Sequence, residues 1–307
     1  MANTLKKRSK FDKVDPSLYL LLIPGIVLLI IFSYLPLYGV TLAFRRFNSP
    51  TISVWSAEWI GFENFNTLFS AAKFPRVIRN TLVISLSKMV VNFLFPIFVS
   101  ILMNELTSVK FKRSIQTMIY LPHFLSWVIL GGIIRTILAK DGLLNDFIHM
   151  FGGNRVSFLG NVNTFVPTIV VTEAWKGFGF GTIIYMAALT GIDPNLYEAA
   201  SIDGAKRFRQ IWHITIPGIT PIMVLTGTLS LGGILNGGFD QIFNLINSSV
   251  VNVGEILDTF AYTLSFGEGT TKYDLSTAVS LFKTLVSLVL VSGTYYTAYK
   301  TVGYRIF

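Results

Sequence analysis

Cysteine is missing from all 307 residues, which excludes disulfides and thiolate metal sites and leaves the redox compartment unmarked. Histidine is scarce: His123, His149 and His213 are scattered without ligand spacing, so no metal site is expected. The sequence has no Gly-x-x-x-x-Gly-Lys phosphate loop and no Gly-x-Ser-x-Gly elbow, the two quick signals for nucleotide hydrolysis and acyl transfer. Any ATP-driven work would therefore need another subunit to bind the nucleotide. Charge is sparse as well, at 13% of residues against roughly a quarter in a soluble domain.

Apolar residues fill the space these absences leave. They make up 52% of the chain, the mean hydropathy is +0.59, and runs of about 20 apolar residues recur. The expectation is an all-α polytopic membrane protein. Six spans are placed near Leu18 to Phe44, Val77 to Met103, Arg113 to Ala139, Phe165 to Thr190, Gly218 to Gly238 and Thr277 to Tyr299. This divides the chain into a basic segment at 1–17, a membrane domain at 18–299 and a tail at 300–307. The first run follows basic residues as a signal peptide would, but its apolar core is too long and no small-residue cleavage pattern follows, so it reads as an anchor.

The basic residues orient these spans. With the N-terminus in the cytoplasm, thirteen Lys and Arg fall on the inner side, including Lys6, Lys7, Arg8, Lys110 and Lys206, against eight outside. The positive-inside rule then puts both termini in the cytoplasm. The net charge of +9 is read as this topology signal and not as a nucleic-acid surface, since no nucleic-acid motif accompanies it.

The same orientation makes Asp193 to Pro217, "DPNLYEAASIDGAKRFRQIWHITIP", the largest cytoplasmic connection. Asp193 can cap a helix starting at Pro194, a residue with no N–H to lose there, and Gly204 interrupts that helix ten residues on. Beyond it, Ala205, Phe208, Ile211, Trp212 and Thr215 recur at helical spacing opposite Lys206, Arg207 and Arg209, forming an amphipathic piece that leads to Pro217. Local physics fits two readings: a solvated loop with an interfacial helix and a glycine C-cap, or a short helix that docks into a soluble partner.

The spacing Glu198-Ala199-Ala200, three residues, Gly204, nine residues, Ile214-x-x-Pro217 resembles the EAA motif of permease subunits in binding-protein-dependent ABC importers, with Ile216 where the family usually has Leu. "KRSIQTMIYLPHFLSWVI", "GGILNGGFDQIFNL", "DTFAYTLSF" and "TAVSLFKTLVSLVLV" extend the likeness over most of the chain, toward the LplB-type branch for complex oligosaccharides. The resemblance implies a type I importer transmembrane domain with a MalF-like fold, set in the bacterial cytoplasmic membrane. It implies a coupling helix in which Glu198, Ala199, Ala200, Asp203, Gly204, Arg207, Ile214 and Pro217 meet an ATPase. It also implies the partners: a second, homologous permease, two ATP-binding cassette subunits that use ATP and Mg, and an extracellular solute-binding protein that delivers a carbohydrate. No cofactor is expected in this chain, and no bond chemistry.

Ionisable residues within spans cost roughly 2.5–3.5 kcal/mol at the bilayer centre unless they face water or a partner. Lys88, Arg135, Glu173, Lys176 and Lys283 are of this kind. Glu173 and Lys176, three apart on one face, could pair; Arg135 and Lys283 could snorkel outward. Trp127, Glu173, Trp175, Lys176, Tyr185, Asn236 and Asp240 are the candidates for the route of cargo, since sugars present hydroxyls to polar groups and C–H faces to aromatic rings. The excess of cations among the five charges suggests an acidic glycan. Gly177/Gly181 and Gly233/Gly237 have the spacing of close helix contacts. The alternatives are an importer permease for a non-sugar solute and an ion-driven secondary transporter with Glu173 as its proton or cation site.

Overall fold

A computed structural model describes residues 16–47, 53–267 and 271–302. The basic residues at 6–13, Arg305 and most of the two terminal segments expected at 1–17 and 300–307 lie outside these residues. The chain is helical, in the order α1 (Pro16–Leu29), a hairpin of β1 (Arg45–Arg46) and β2 (Glu58–Trp59), α2 (Glu63–Ser70), α3 (Lys73–Asn104), α4 (Val109–Tyr120), α5 (Trp127–Ile137), α6 (Leu143–Met150), α7 (Val162–Thr190), α8 (Pro194–Ile202), α9 (Arg207–Gln210), α10 (Ile216–Leu231), α11 (Phe239–Leu245), α12 (Val251–Gly254), α13 (Leu257–Phe266) and α14 (Tyr273–Val302). The strands are two residues each and pair antiparallel, Arg45 with Trp59 and Arg46 with Glu58.

Among the described residues, four helical stretches are long and apolar enough to cross a membrane: Tyr19–Phe44, Lys73–Asn104, Arg207–Leu231 and Tyr273–Tyr296. Val109–Phe124 and Trp127–Ile137 make a fifth if taken as one span bent by 105°. Helix α7 has 29 residues, about 43 Å at 1.5 Å each, but is not among the apolar stretches.

Two expectations are refined. The third span, placed near Arg113 to Ala139, is two helices joined at a sharp bend. Leu121–Phe124 tightens into a 3₁₀ turn at Pro122, Leu125 and Ser126 are extended, and Ser126 caps a new helix by accepting from the Ile129 amide. Nor is the helix of the fifth span confined to Gly218 to Gly238. Its helix starts at Arg207 and runs through Pro217 to Leu231, ending before Gly232. A five-residue π turn, Ile211–Thr215, closes two residues before Pro217, and another, Ile30–Tyr34, closes two residues before Pro36. Widening the helix by one residue there relieves the clash and the missing donor that proline brings to a helix interior.

Three apolar clusters hold the bundle. Ala43, Phe74, Val77, Leu257 and Ala278 join the first span, α3, α13 and α14. Ile84, Leu130, Phe165, Ile169, Ile242 and Ile256 join α3, α5, α7, α11 and the start of α13. Ile97, Met103, Tyr185, Met186, Leu189 and Ile219 join the far halves of α3 and α7 to α10. Helices α3 and α7 lie against each other along their lengths, crossing closely at Gly181, where a Cβ would come within 2.9 Å of the Pro96 ring. In each Gly-x-x-x-Gly pair only one member, Gly181 or Gly237, is in such close contact with a neighbouring element.

Candidate functional site

Between α3, α7, α10 and the non-helical link 232–238 lies a cavity of about 380 Å³. Helix α3 lines it with Ser85, Lys88, Met89, Asn92, Phe93 and Pro96, and α7 with Glu173, Gly181, Ile184 and Tyr185. Thr226 and Ser230 of α10 and Gly233, Asn236 and Gly238 of the link complete the wall.

Lys88 is the centre of this wall. It is 6% exposed, its Nζ donates to the Gly237 carbonyl at 2.6 Å, and Glu173 Oε2 lies 3.6 Å away. Three elements thus meet at one ammonium. The link can come this close because Gly238 has φ +80° and no side chain; a Cβ there would sit 2.8 Å from Lys88 Nζ. Across the cavity, the Tyr185 hydroxyl and Thr226 Oγ1 share a hydrogen bond of 2.8 Å.

Of the route residues expected from sequence, Glu173, Tyr185 and Asn236 line the cavity and the other four do not. Lys176 does not pair with Glu173. It donates to the His123 carbonyl at 3.1 Å and lies 5.6 Å over the ring of Trp127, at the break between α4 and α5. The i,i+3 pair loses to tertiary partners on either side: α3 supplies a cation to Glu173, and the broken span supplies a carbonyl and a ring to Lys176. Trp127 itself packs on the apolar cluster around Leu130, while Trp175 and Asp240 are exposed outside the cavity.

Arg135 and Lys283 each have a partner within the protein. Arg135 Nε donates to the Asn244 carbonyl at 2.8 Å, and Lys283 binds both oxygens of Asp258, the longer contact being 2.7 Å. The positive excess among the span charges is therefore reduced by Asp258, and the cavity wall carries one cation and one anion. Sequence reading overlooked Ser85 and Asn92. The signal was present: with Lys88 they are spaced three and four apart, on one face of α3.

At the other end of α7 is the polar loop. Asp193 accepts from the Asn195 amide and opens α8, which runs nine residues, about 14 Å. It ends at Ile202, one residue earlier than expected, and Gly204 at φ +77° closes it, with the Ala205 amide returning to the Ala200 carbonyl at 2.8 Å. No residue of α8 is buried, and Ile202 and Phe208 are 87% and 78% exposed. Glu198, Ala199, Asp203, Gly204 and Arg207 are exposed and Ala200 half-buried.

The loop is nevertheless tied to the fifth span. Gln210 Nε2 donates to Ser201 Oγ at 2.9 Å, and the Tyr197 and Thr215 hydroxyls meet at 3.0 Å. Arg207 reaches Glu105, at the end of α3, at 3.1 Å. Ile214 and Pro217 lie within the continuous helix that carries these ties upward, in its π turn and just beyond it.

The chain is similar to known proteins over most of its length. Residues 92–298 match the family model "Binding-protein-dependent transport system inner membrane component". The chain is 42% identical over 289 residues to Protein LplB of Bacillus subtilis (strain 168), covering 94% of this chain and 90% of that one. It is 40% identical over 275 residues to the polygalacturonan/rhamnogalacturonan transport system permease protein YteP of the same organism, covering 89% and 85%. Among solved structures, a chain of a bacterial ABC transporter involved in the import of the acidic polysaccharide alginate superposes with a TM-score of 0.84 at 35% identity, covering 94% of this chain and 96% of that one. A chain of the alginate transporter in complex with an alginate pentasaccharide-bound periplasmic protein gives 0.83 at 34%, covering 93% and 95%. With two thirds of its length inside the family model, this chain belongs to the inner membrane components of binding-protein-dependent transport systems.

Proposed function

We propose that this chain is one permease subunit of an ATP-driven importer for oligosaccharides or complex glycans, and that the 380 Å³ cavity is part of the route. The observation that carries the reading is α8: a capped helix with no buried residue, aligned on the EAA spacing and fastened to the span that lines the cavity. A helix so placed has its surface free for a soluble partner and its base joined to the membrane bundle. The cargo class rests on the polar, hydroxyl- and amide-bearing wall of the cavity and on the glycans named for relatives at 34–40% identity over most of the chain.

In this reading the chain crosses the membrane six times with both termini in the cytoplasm, and α7 is the fourth span despite its charge. It dimerises with a homologous permease. Two ATPase subunits, which supply the ATP and Mg chemistry, each hold a coupling helix formed here by Glu198, Ala199, Ala200, Asp203, Gly204 and Arg207, with Ile214 and Pro217 transmitting its movement. An extracellular binding protein delivers the cargo. The permease itself makes and breaks no bonds; it contributes different contacts to cargo and partners in two conformations.

The test is reconstitution of the complex in proteoliposomes, with uptake measured against a panel of neutral and uronate-bearing oligosaccharides. ATP-dependent, binding-protein-dependent accumulation of at least one glycan is expected. Uptake driven by an ion gradient without the ATPase would reject the reading.

A further inference from the structure

We propose that Ser85, Lys88 and Asn92 form a stripe that reads cargo through sugar hydroxyls, without selecting for a carboxylate; this rests on the oligosaccharide reading above. The three lie on one face of α3 and line the cavity together. Ser85 is 3% exposed and Lys88 6% exposed, yet neither Ser85 Oγ nor Asn92 Oδ1 has a hydrogen-bond partner among the described residues. Lys88 uses one of its three donors on Gly237, and the Glu173 carboxylate at 3.6 Å stands beyond hydrogen-bond reach. Buried polar atoms are nearly always paired, so two without a partner and a lysine with spare donors, on three residues that line one cavity, point to a ligand that supplies both donors and acceptors.

Charge decides which ligand. Lys88 and Glu173 are the ionisable pair on the wall, one of each sign, so an entering carboxylate would leave a negative charge unmatched in a poorly solvated space. A sugar ring brings hydroxyls that donate and accept without that cost. Met89, Phe93, Pro96 and Ile184 supply apolar surface for its C–H faces, and the volume falls within the roughly 300–1,000 Å³ of small-molecule sites. Acidic and neutral glycans are then distinguished elsewhere in the importer.

The experiment uses the complete complex in proteoliposomes, with galacturonate and alginate trisaccharides and their carboxyl-reduced counterparts as probes. Ser85→Ala and Asn92→Leu are each expected to lower uptake of acidic and reduced forms alike by about fivefold, the loss of one hydrogen bond. Removing an unpaired buried polar atom should leave the thermal midpoint of the complex unchanged or raised, so the loss of transport cannot come from misfolding. Wild-type uptake in both variants would overturn the proposal. So would Lys88→Gln if it abolished uptake of the acidic sugars and spared the reduced ones, since that is the signature of a carboxylate reader. A wild-type complex that imports none of the probes would instead reject the oligosaccharide reading.

Discussion

Helix α8 has no buried residue, whereas Lys88, fewer than twenty residues before the end of α3, is 6% exposed and touches groups from two other segments. Both are polar features of an apolar chain, and they are stabilised in opposite ways. In α8 the satisfaction is local: Asp193 caps the start, Gly204 the end, and Gln210 and Thr215 brace it from the next helix. At Lys88 it is entirely long-range, from a carbonyl 149 residues away and a carboxylate on α7. A segment that completes itself locally can present its outer surface to another protein. A group that depends on distant segments instead fixes how those segments pack.

This contrast can be tested by substitution, beginning with the largest effects. Lys88→Met should destabilise the permease by about 3 kcal/mol or less, the lower part of the range for breaking a buried pair, because Glu173 keeps a quarter of its side chain in contact with solvent. Combining it with Glu173→Gln should recover at least 1 kcal/mol, read as a non-additive double-mutant cycle in thermal unfolding. Additive losses would mean that the pair does not interact. Glu198→Lys on α8 should do the reverse: an unchanged thermal midpoint for the isolated permease, but ATPase binding weakened by about 2 kcal/mol, roughly thirtyfold, as for an interface hot spot. Equal binding in a pull-down titration would remove α8 from the interface.

Tyr185→Phe should cost about 1 kcal/mol through loss of its bond to Thr226, measured on the same melts. Smallest of all, Arg207→Ala should change permease stability by less than about 0.5 kcal/mol, because its contact with Glu105 is a surface ion pair with the arginine 75% exposed. A loss above 1 kcal/mol would show that the loop is clamped to α3 more firmly than its exposure implies.

The fold class and the polar loop were legible in the sequence because each depends on short-range pattern. Apolar runs of span length, Asp193-Pro194 as a helix start and Gly204 as a stop all act within a few residues. Three prolines show where that legibility ends. Pro36 and Pro217 sit in unbroken helical stretches that absorb them through π turns, while Pro122 lies at a 105° bend. These three prolines gave two outcomes, and only at Pro122 was an extended Leu125-Ser126 step followed by a fresh Ser126 cap.

The pairing of charges was not legible at all. Glu173 and Lys176 are three apart on one helix, and spacing alone favours their meeting, yet their partners are Lys88 on α3 and the His123 carbonyl with Trp127 at the bend. The cavity residues Ser85 and Asn92 share the helical period of Lys88, but nothing local says which face of α3 is turned inward. By itself the sequence determined that the chain is a helical membrane protein and that residues 193–217 form a capped, glycine-closed helix joined to the next span, because capping, proline geometry and hydropathy are properties of neighbouring residues. The tertiary structure alone decided which charges pair and which polar residues line the cavity, because a buried ion pair and a cavity wall exist only once segments more than eighty residues apart have packed together.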